Sequence, residues 1–240
     1  MGWVDDGTRL GVLAFGDSIT NGGGELQWGV ALQSWALWTA RALGLAFTNY
    51  AVDGARVADV AGAQLEAARE RSAHPDARYD LGALHIGVND VRALDWDPGA
   101  FATDLRIVLD YLAARCDRVF VLTIPLDLGR PRAGAKVEVA NGAIEEAAAA
   151  TGATIVDLRG FRGRRVLMAD HVHPTALGQV AIAERVVNAA AASGLEVFAR
   201  PSDLVYYETT WTGRLRGDLT YAYRHAKGSA RGARLRLLGR

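Results

Sequence analysis

The chain has 240 residues, of which 50% are hydrophobic and 22% are charged. This is the composition of a globular protein, and it excludes a disordered chain and a collagen-like fibre. A single cysteine, Cys116, excludes an internal disulfide framework. Basic and acidic residues number 27 each, so the net charge indicates no class of partner.

The sequence predicts a cytoplasmic protein without a transmembrane segment. No stretch approaches the roughly 18 uninterrupted apolar residues that a membrane-spanning helix needs. The N-terminus carries Asp5 and Asp6 where a secretory signal would have Lys or Arg, and no long apolar region follows them.

Short apolar runs alternate with longer segments of helical periodicity. The runs predict strands at residues 10–15, 46–52, 80–86, 118–124 and 154–158. The longer segments predict helices at residues 30–43, 57–71, 100–114, 137–150 and 176–192, the last with Thr175 as its N-cap and Gly194 beyond its end. Strands that alternate with helices predict an α/β domain with a parallel sheet, whose ligand site lies at the carboxyl ends of the strands.

The composition changes at Arg200. From there to the end the chain has nine basic and three acidic residues, together with Trp211 and four tyrosines, and a net charge of +6. We therefore predict a domain over residues 1–199 and a basic extension over residues 200–240. We expect the extension to pack against the acidic domain or to form a homo-oligomer contact, with residues 226–240 mobile. Binding of nucleic acid is not expected, because the sequence contains no recognised nucleic-acid-binding module.

Four short segments carry residues suited to acyl transfer. Ser18 lies in Gly-Asp-Ser-Ile-Thr directly after the first strand, and Gly54 follows the second. Asn89 lies in Gly-Val-Asn-Asp after the third strand, and Asp170 and His173 belong to Asp-His-Val-His-Pro before the last helix.

These residue types together suit a serine hydrolase. A neutral serine hydroxyl is a poor nucleophile and needs an adjacent base, a role that His173 fits. Asp170 fits the role of the acceptor that holds the imidazole in the correct tautomer. The N–H groups of Ser18 and Gly54 and the side-chain amide of Asn89 would form the oxyanion hole.

The four segments resemble the four sequence blocks of the GDSL/SGNH hydrolase superfamily, in the same order along the chain, over about residues 10–195. The resemblance implies a three-layer, flavodoxin-like α/β/α sandwich with a five-stranded parallel sheet. It also implies a serine hydrolase of esters or thioesters that uses no metal or other cofactor. The nucleophile of the family corresponds to Ser18, its oxyanion donors to Ser18, Gly54 and Asn89, and its acid–base pair to Asp170 and His173.

Two positions depart from the family pattern. Asp53 precedes Gly54 where the family often has a small residue, and it either tunes substrate preference or points to solvent. His171 stands where the family often has glycine, which raises the question of which histidine is the base. We favour His173, because Pro174 follows it as in the family and because neighbouring side chains on an extended segment point apart.

Other polar residues near these segments are expected to be structural. Asp17 should brace the Ser18 turn, and Asp90 should anchor its own loop by hydrogen bonds. His85 lies inside the third strand, where a core histidine with satisfied hydrogen bonds is the expected state.

The substrate is predicted to be a small ester, with short acyl chains and acetyl groups favoured because no long lid segment is visible. Trp28 is a candidate for a pocket wall, and residues 22–24 are predicted to form a flexible loop beside Ser18. Residues 130–132 line either the pocket or a solvated loop. The alternatives are an acyltransferase, a thioesterase or lysophospholipase on the same site, and a non-catalytic protein that binds through its basic extension.

Overall fold

Five parallel strands form one sheet in the centre of the molecule. The structure, a computed structural model, describes residues 10–24, 30–71, 78–205 and 210–237. The strands are β1 (Val12–Gly16), β2 (Phe47–Asn49), β3 (Tyr79–His85), β4 (Cys116–Leu122) and β5 (Thr154–Val156). They pair in the order β2-β1-β3-β4-β5, which confirms the predicted flavodoxin-like sheet.

Helices connect the strands and cover both faces of the sheet. They are α1 (Ser18–Asn21), α2 (Trp35–Ala42), α3 (Val57–Asp59), α4 (Leu65–Glu70), α5 (Val88–Arg92), α6 (Pro98–Arg115), α7 (Ala135–Thr151), α8 (Ala176–Ala192) and α9 (Trp211–Leu237). A π-helical turn, Val60–Gln64, joins α3 to α4, and a short 3₁₀ helix spans Pro201–Leu204. Helices α2 and α8 pack together on one side of the sheet, and α6 packs with α7 on the other. Within the described ranges, no helix is both long and apolar enough to span a membrane.

The strand order places the reversal of the sheet between β1 and β3. The chain leaves β1 toward β2 in one direction and returns to β3 on the opposite side of β1. Gly16 at the end of β1 pairs in register with His85 at the end of β3, so the two carboxyl ends are level. Ligands of open α/β sheets bind in the crevice at such a switch point, and the segments of Ser18 and Asn89 begin there.

The observed elements differ from the predicted ones mainly at their ends. Helix α2 begins at Trp35, five residues later than predicted, because Ser34 caps it by accepting from the Ala36 N–H at 3.1 Å. The helix predicted over residues 57–71 is interrupted by the π-helical turn. Helix α8 has the predicted bounds, and the Thr175 hydroxyl caps it by accepting from the Gly178 N–H at 3.0 Å.

The basic extension contains one long helix. Helix α9 continues to Leu237, so regular structure occupies most of the segment that was expected to be mobile. Trp211, Leu215, Leu219 and Tyr223 recur every fourth residue, and all four side chains are exposed. This apolar stripe does not pack on the α/β domain, and Asp218 meets the domain through an ion pair with Arg164 at 3.3 Å. Self-association through the extension and the boundary near residue 200 stay predictions.

Gly178→Ala is expected to destabilise the protein, although alanine is the better helix former. A Cβ at position 178 would lie 1.9 Å from the Val166 carbonyl oxygen and 2.9 Å from Pro174 Cβ. Such overpacking costs about 1–3 kcal/mol in the free energy of unfolding. Gly142→Ala in α7 is the matched control, because its Cβ would meet nothing within 4 Å. It should stabilise by up to ~1 kcal/mol. Urea unfolding of both variants checks this, and a Gly178→Ala midpoint at or above that of the wild type contradicts it.

Candidate active site

Ser18 lies at a tight turn between β1 and α1. Asp17 is the N-cap of α1, and its Oδ1 accepts from the Ile19 N–H at 2.9 Å, which confirms the predicted bracing role. Ser18 is therefore the first residue of the helix, at the carboxyl end of β1. Asp17 is fully buried, and burial raises the pKa of its carboxyl group to about 7.

Two buried glutamines, which the sequence analysis did not identify, hold this turn in place. Gln64 accepts from the Gly16 N–H at 3.2 Å and donates to the Gly16 carbonyl oxygen at 2.8 Å. Gln179 accepts from the Trp35 N–H at 2.8 Å and donates to the Ile19 carbonyl oxygen at 3.0 Å. The backbone on both sides of Ser18 is thus fixed from distant helices. The π-helical turn that ends at Gln64 is a local irregularity of the kind often found at functional sites.

His173 and Asp170 complete a chain of hydrogen bonds that starts at Ser18. The Ser18 Oγ lies 3.0 Å from His173 Nε2. His173 Nδ1 lies 2.7 Å from Asp170 Oδ2 on the same loop. Asp170 Oδ1 accepts from the backbone N–H groups of Val172 and His173, which orients the carboxylate. The fold brings together two segments that are 155 residues apart in the sequence.

The electrostatics of the pair suit proton transfer. The hydrogen bond with Asp170 raises the pKa of His173, and this effect exceeds the opposing effect of burial. Burial opposes ionisation of Asp170, but the hydrogen bonds from His173 and the Val172 N–H more than offset it, and the pKa of Asp170 lies below its ordinary value. Asp170 is therefore ionised at neutral pH, and His173 is a stronger base than a free imidazole.

Gly54, in the loop after β2, and Asn89, in the first turn of α5, line one cavity. Gly54 has a φ of +80°, a conformation that favours glycine. Asn89 Nδ2 donates to the Ala55 carbonyl oxygen at 2.9 Å, which leaves its second amide hydrogen for another acceptor. Asp90, also in α5, accepts from the Val57 N–H at the start of α3 through both oxygens, at 3.1 and 3.3 Å, and so anchors its segment by hydrogen bonds as predicted. Burial raises the pKa of Asp90 to about 6.

Comparison with known proteins identifies the family. The profile of the GDSL-like lipase/acylhydrolase family matches residues 14–181. The chain belongs to this family. It is a hydrolase of the SGNH type, and the predicted family and fold are confirmed.

Solved structures of similar fold agree with this family. A lipase/acylhydrolase from Enterococcus faecalis superposes with a TM-score of 0.60 at 20% identity, over 78% of this chain and 97% of that one. A catalytic mutant of an acetylxylan esterase from Geobacillus stearothermophilus has a TM-score of 0.58 at 19% identity, over 76% of this chain and 94% of that one. A putative SGNH hydrolase from Slackia heliotrinireducens has a TM-score of 0.58 at 18% identity, over 75% and 98% of the two chains. No curated protein sequence matches this chain.

The two departures from the pattern of this GDSL hydrolase family have different surroundings. His171 has a φ of +57°, which accounts for the glycine often found there. Its ring contacts Arg130 at 2.8 Å and Asp127 at 3.0 Å, so of the two histidines on this loop it is His173 that faces the Ser18 hydroxyl. Asp53 is exposed and accepts from Asn21 Nδ2 at 2.9 Å.

The glycines that follow α1 lie close to both catalytic segments. A Cβ at Gly23 would lie 2.7 Å from the Ser18 carbonyl oxygen, and one at Gly24 would lie 2.3 Å from the Pro174 carbonyl oxygen. Residues 22–24 form a loop beside Ser18 as predicted, in contact with both catalytic segments, and the flexibility of this loop stays a prediction. Trp28, a predicted pocket residue, lies outside the described residues.

His85 is buried as predicted, but its hydrogen bonds are not satisfied. Neither ring nitrogen has a hydrogen-bond partner among the described residues. Burial lowers the pKa of His85 to about 4, so the ring is neutral and part of the core. Among the described residues, no cluster of histidine, cysteine or acidic side chains is arranged to hold a metal ion.

Proposed function

We propose that this protein hydrolyses carboxylic esters through an acyl-enzyme intermediate on Ser18. The observation that carries the proposal is the continuous chain from the Ser18 hydroxyl through His173 to the Asp170 carboxylate. In this mechanism the Ser18 Oγ attacks the carbonyl carbon while His173 Nε2 accepts its proton. Asp170 holds the correct tautomer and stabilises the imidazolium that forms.

The oxyanion of the tetrahedral intermediate is proposed to accept hydrogen bonds from the Ser18 and Gly54 N–H groups and the Asn89 amide. Neither N–H donates to a described residue of the protein. Each such donor lowers the barrier by about 3–4 kcal/mol. His173 then gives its proton to the leaving alcohol. In the second half of the reaction His173 accepts a proton from water, whose oxygen attacks the acyl carbon, and the bond to Ser18 Oγ breaks as His173 returns the proton to Ser18.

Acetyl and other short acyl groups are the proposed substrates. The cavity beside Gly54 and Asn89 is lined largely by polar and cationic side chains, which offer little apolar surface to a long acyl chain. Each added CH₂ gains about 0.8 kcal/mol only where it is buried against apolar atoms. The acetylxylan esterase among the structural neighbours is consistent with acetyl ester chemistry on this fold.

Hydrolysis rates of 4-nitrophenyl acetate, butyrate, octanoate and palmitate test this proposal. We expect the specificity constant to fall steeply beyond butyrate, and a burst of 4-nitrophenolate equal to the enzyme concentration before steady turnover. Specificity that rises with chain length contradicts the short-chain assignment. Hydrolysis that persists in the Ser18→Ala protein, or that proceeds without a covalent intermediate, contradicts the mechanism.

A further inference from the structure

A basic cavity of about 550 Å³ opens beside the proposed oxyanion hole. Gly54 and Asn89 form one part of its wall. The rest of the wall carries five cationic side chains and, among the described residues, no carboxylate: Arg56, Arg92, Arg130, Arg132 and Lys136. A cleft lined by one sign of charge concentrates oppositely charged solutes.

The positive charge of this cavity is only partly neutralised within the protein. Arg56 and Arg132 each form an ion pair with an aspartate outside the cavity wall. Arg92 and Lys136 form no ion pair with any residue in the described ranges. Lys136 Nζ instead donates to the Ala93 carbonyl oxygen at 3.2 Å, a neutral partner. The cavity therefore keeps an excess of positive charge.

His171 holds Arg130 at the cavity wall. Burial and the neighbouring arginines lower the pKa of His171, so its ring is neutral near pH 7. A neutral ring that donates from Nδ1 to Asp127 Oδ2 at 3.0 Å can accept from Arg130 Nη2 through Nε2 at 2.8 Å. The His171 carbonyl oxygen also accepts from the Gly129 N–H at 2.8 Å. The loop that carries Asp170 and His173 is thus joined to the wall of the cavity.

The backbone of His171 indicates that this link is more than incidental. A non-glycine residue at a φ of +57° is strained, and such strain is commonly retained at functional sites. Glycine would be easier to accommodate at this position, but it would remove the hydrogen bond between Arg130 Nη2 and His171 Nε2. The side chain therefore accounts for the presence of histidine where the backbone favours glycine.

We propose that this cavity binds an anionic group of the ester substrate, a phosphate, sulfate or carboxylate attached close to the scissile bond. The inference rests on the proposed hydrolase function and specifies its substrate class. The arginine guanidinium groups and the Lys136 ammonium group can donate charge-assisted hydrogen bonds to such an anion. Because the cavity wall includes Gly54 and Asn89, an anion bound there would hold the ester carbonyl near the oxyanion donors. His171 acts as a positioning residue through Arg130.

Two matched pairs of esters test the inference and identify the side of the ester that carries the charge. The first pair compares mono(4-nitrophenyl) succinate, whose acyl group carries the anion, with the neutral 4-nitrophenyl acetate. The second pair compares 4-acetoxyphenyl phosphate, whose leaving group carries the anion, with the neutral phenyl acetate. We expect one anionic ester to be preferred about tenfold or more in kcat/KM, and the preference to shrink between low and high salt. No preference in either pair overturns the inference.

Variants assign the preference to the cavity. Arg130→Gln and Lys136→Gln should each reduce the ratio of anionic to neutral kcat/KM by about fivefold or more. Arg106→Gln is the matched control, because Arg106 is exposed on α6 and pairs with Asp110. His171→Gly should reduce the same ratio, and His171→Asn should restore part of it, because asparagine tolerates a positive φ and its amide oxygen accepts from Arg130. Ratios that stay at the wild-type value in all these variants overturn the assignment.

Binding to Ser18→Ala protein separates the cavity from the chemistry. Calorimetry with 4-acetoxyphenyl phosphate and with the succinate ester should show binding that Lys136→Gln weakens. Such binding without hydrolysis of any ester by the wild type would support the cavity and overturn the proposed function. Serine-dependent hydrolysis of 4-nitrophenyl acetate, without binding of or preference for either anionic ester, would support the proposed function and overturn the anion-binding role of the cavity.

Discussion

Ser18→Ala is expected to lower kcat for ester hydrolysis by about 10⁶-fold. The reason is that Ser18 provides the protein atom that forms a covalent bond to the acyl group in the proposed mechanism. The hydrogen bond of 3.0 Å to His173 Nε2 activates that atom, and nothing else in the chain of hydrogen bonds can replace it. Initial rates with 4-nitrophenyl acetate measure the loss.

A phosphonate inhibitor gives a second and independent measurement of the same prediction. The wild type should gain the mass of one phosphonyl group on the peptide that contains Ser18, and the Ser18→Ala protein should gain none. Ser202→Ala is the control, because Ser202 is exposed on the short 3₁₀ helix, and it should keep wild-type activity. A Ser18→Ala protein that hydrolyses esters at a comparable rate would rule out the mechanism.

Asp170→Asn is expected to reduce kcat by on the order of 10³–10⁴-fold. An asparagine amide facing His173 Nδ1 donates a hydrogen bond, whereas the carboxylate accepts one at 2.7 Å. The proton of the neutral imidazole then moves to Nε2, the atom that must accept the proton of Ser18. The substitution therefore leaves the side chains in place but imposes the wrong tautomer.

The same variant should also move the acid limb of the pH profile. Hydrolysis requires neutral His173, so kcat/KM rises as pH increases through the pKa of this histidine. The Asp170 carboxylate holds that pKa above the ordinary 6.5, while burial and Arg92 act to lower it. Removing the carboxylate takes away the largest raising effect and leaves only the weaker attraction of Asp17 against burial and Arg92, so the midpoint of the limb should move to lower pH. Profiles of kcat/KM from pH 5 to 9 measure the change.

Asp110→Asn is the control for the pH experiment. Asp110 is an exposed aspartate on α6, where it pairs with Arg106, and its loss should not move the limb. A limb that keeps its midpoint or moves to higher pH in Asp170→Asn would show that Asp170 does not control the protonation of His173.

The sequence was sufficient to predict the fold class and the segments of the site. Local patterns carry this information, because apolar runs and helical periodicity are properties of consecutive residues. The caps at Asp17 and Thr175 and the glycine at position 54 likewise depend on a few neighbouring residues. For the same reason the five predicted strands all occur in the predicted segments of the chain, with ends that differ by at most three residues.

Tertiary structure alone decided how the segments are held and what surrounds them. Gln64 and Gln179 have no local pattern that distinguishes them from surface glutamines, because their partners lie 48 and 144 residues away. The link between His171 and Arg130 joins loops 41 residues apart, and the basic cavity collects side chains from helices α5 and α7 and from two loops. Side-chain contacts between distant segments depend on how the helices and loops pack around the sheet. The sequence by itself therefore determined the chemistry available at this site, and packing determined its geometry and the charge of its pocket.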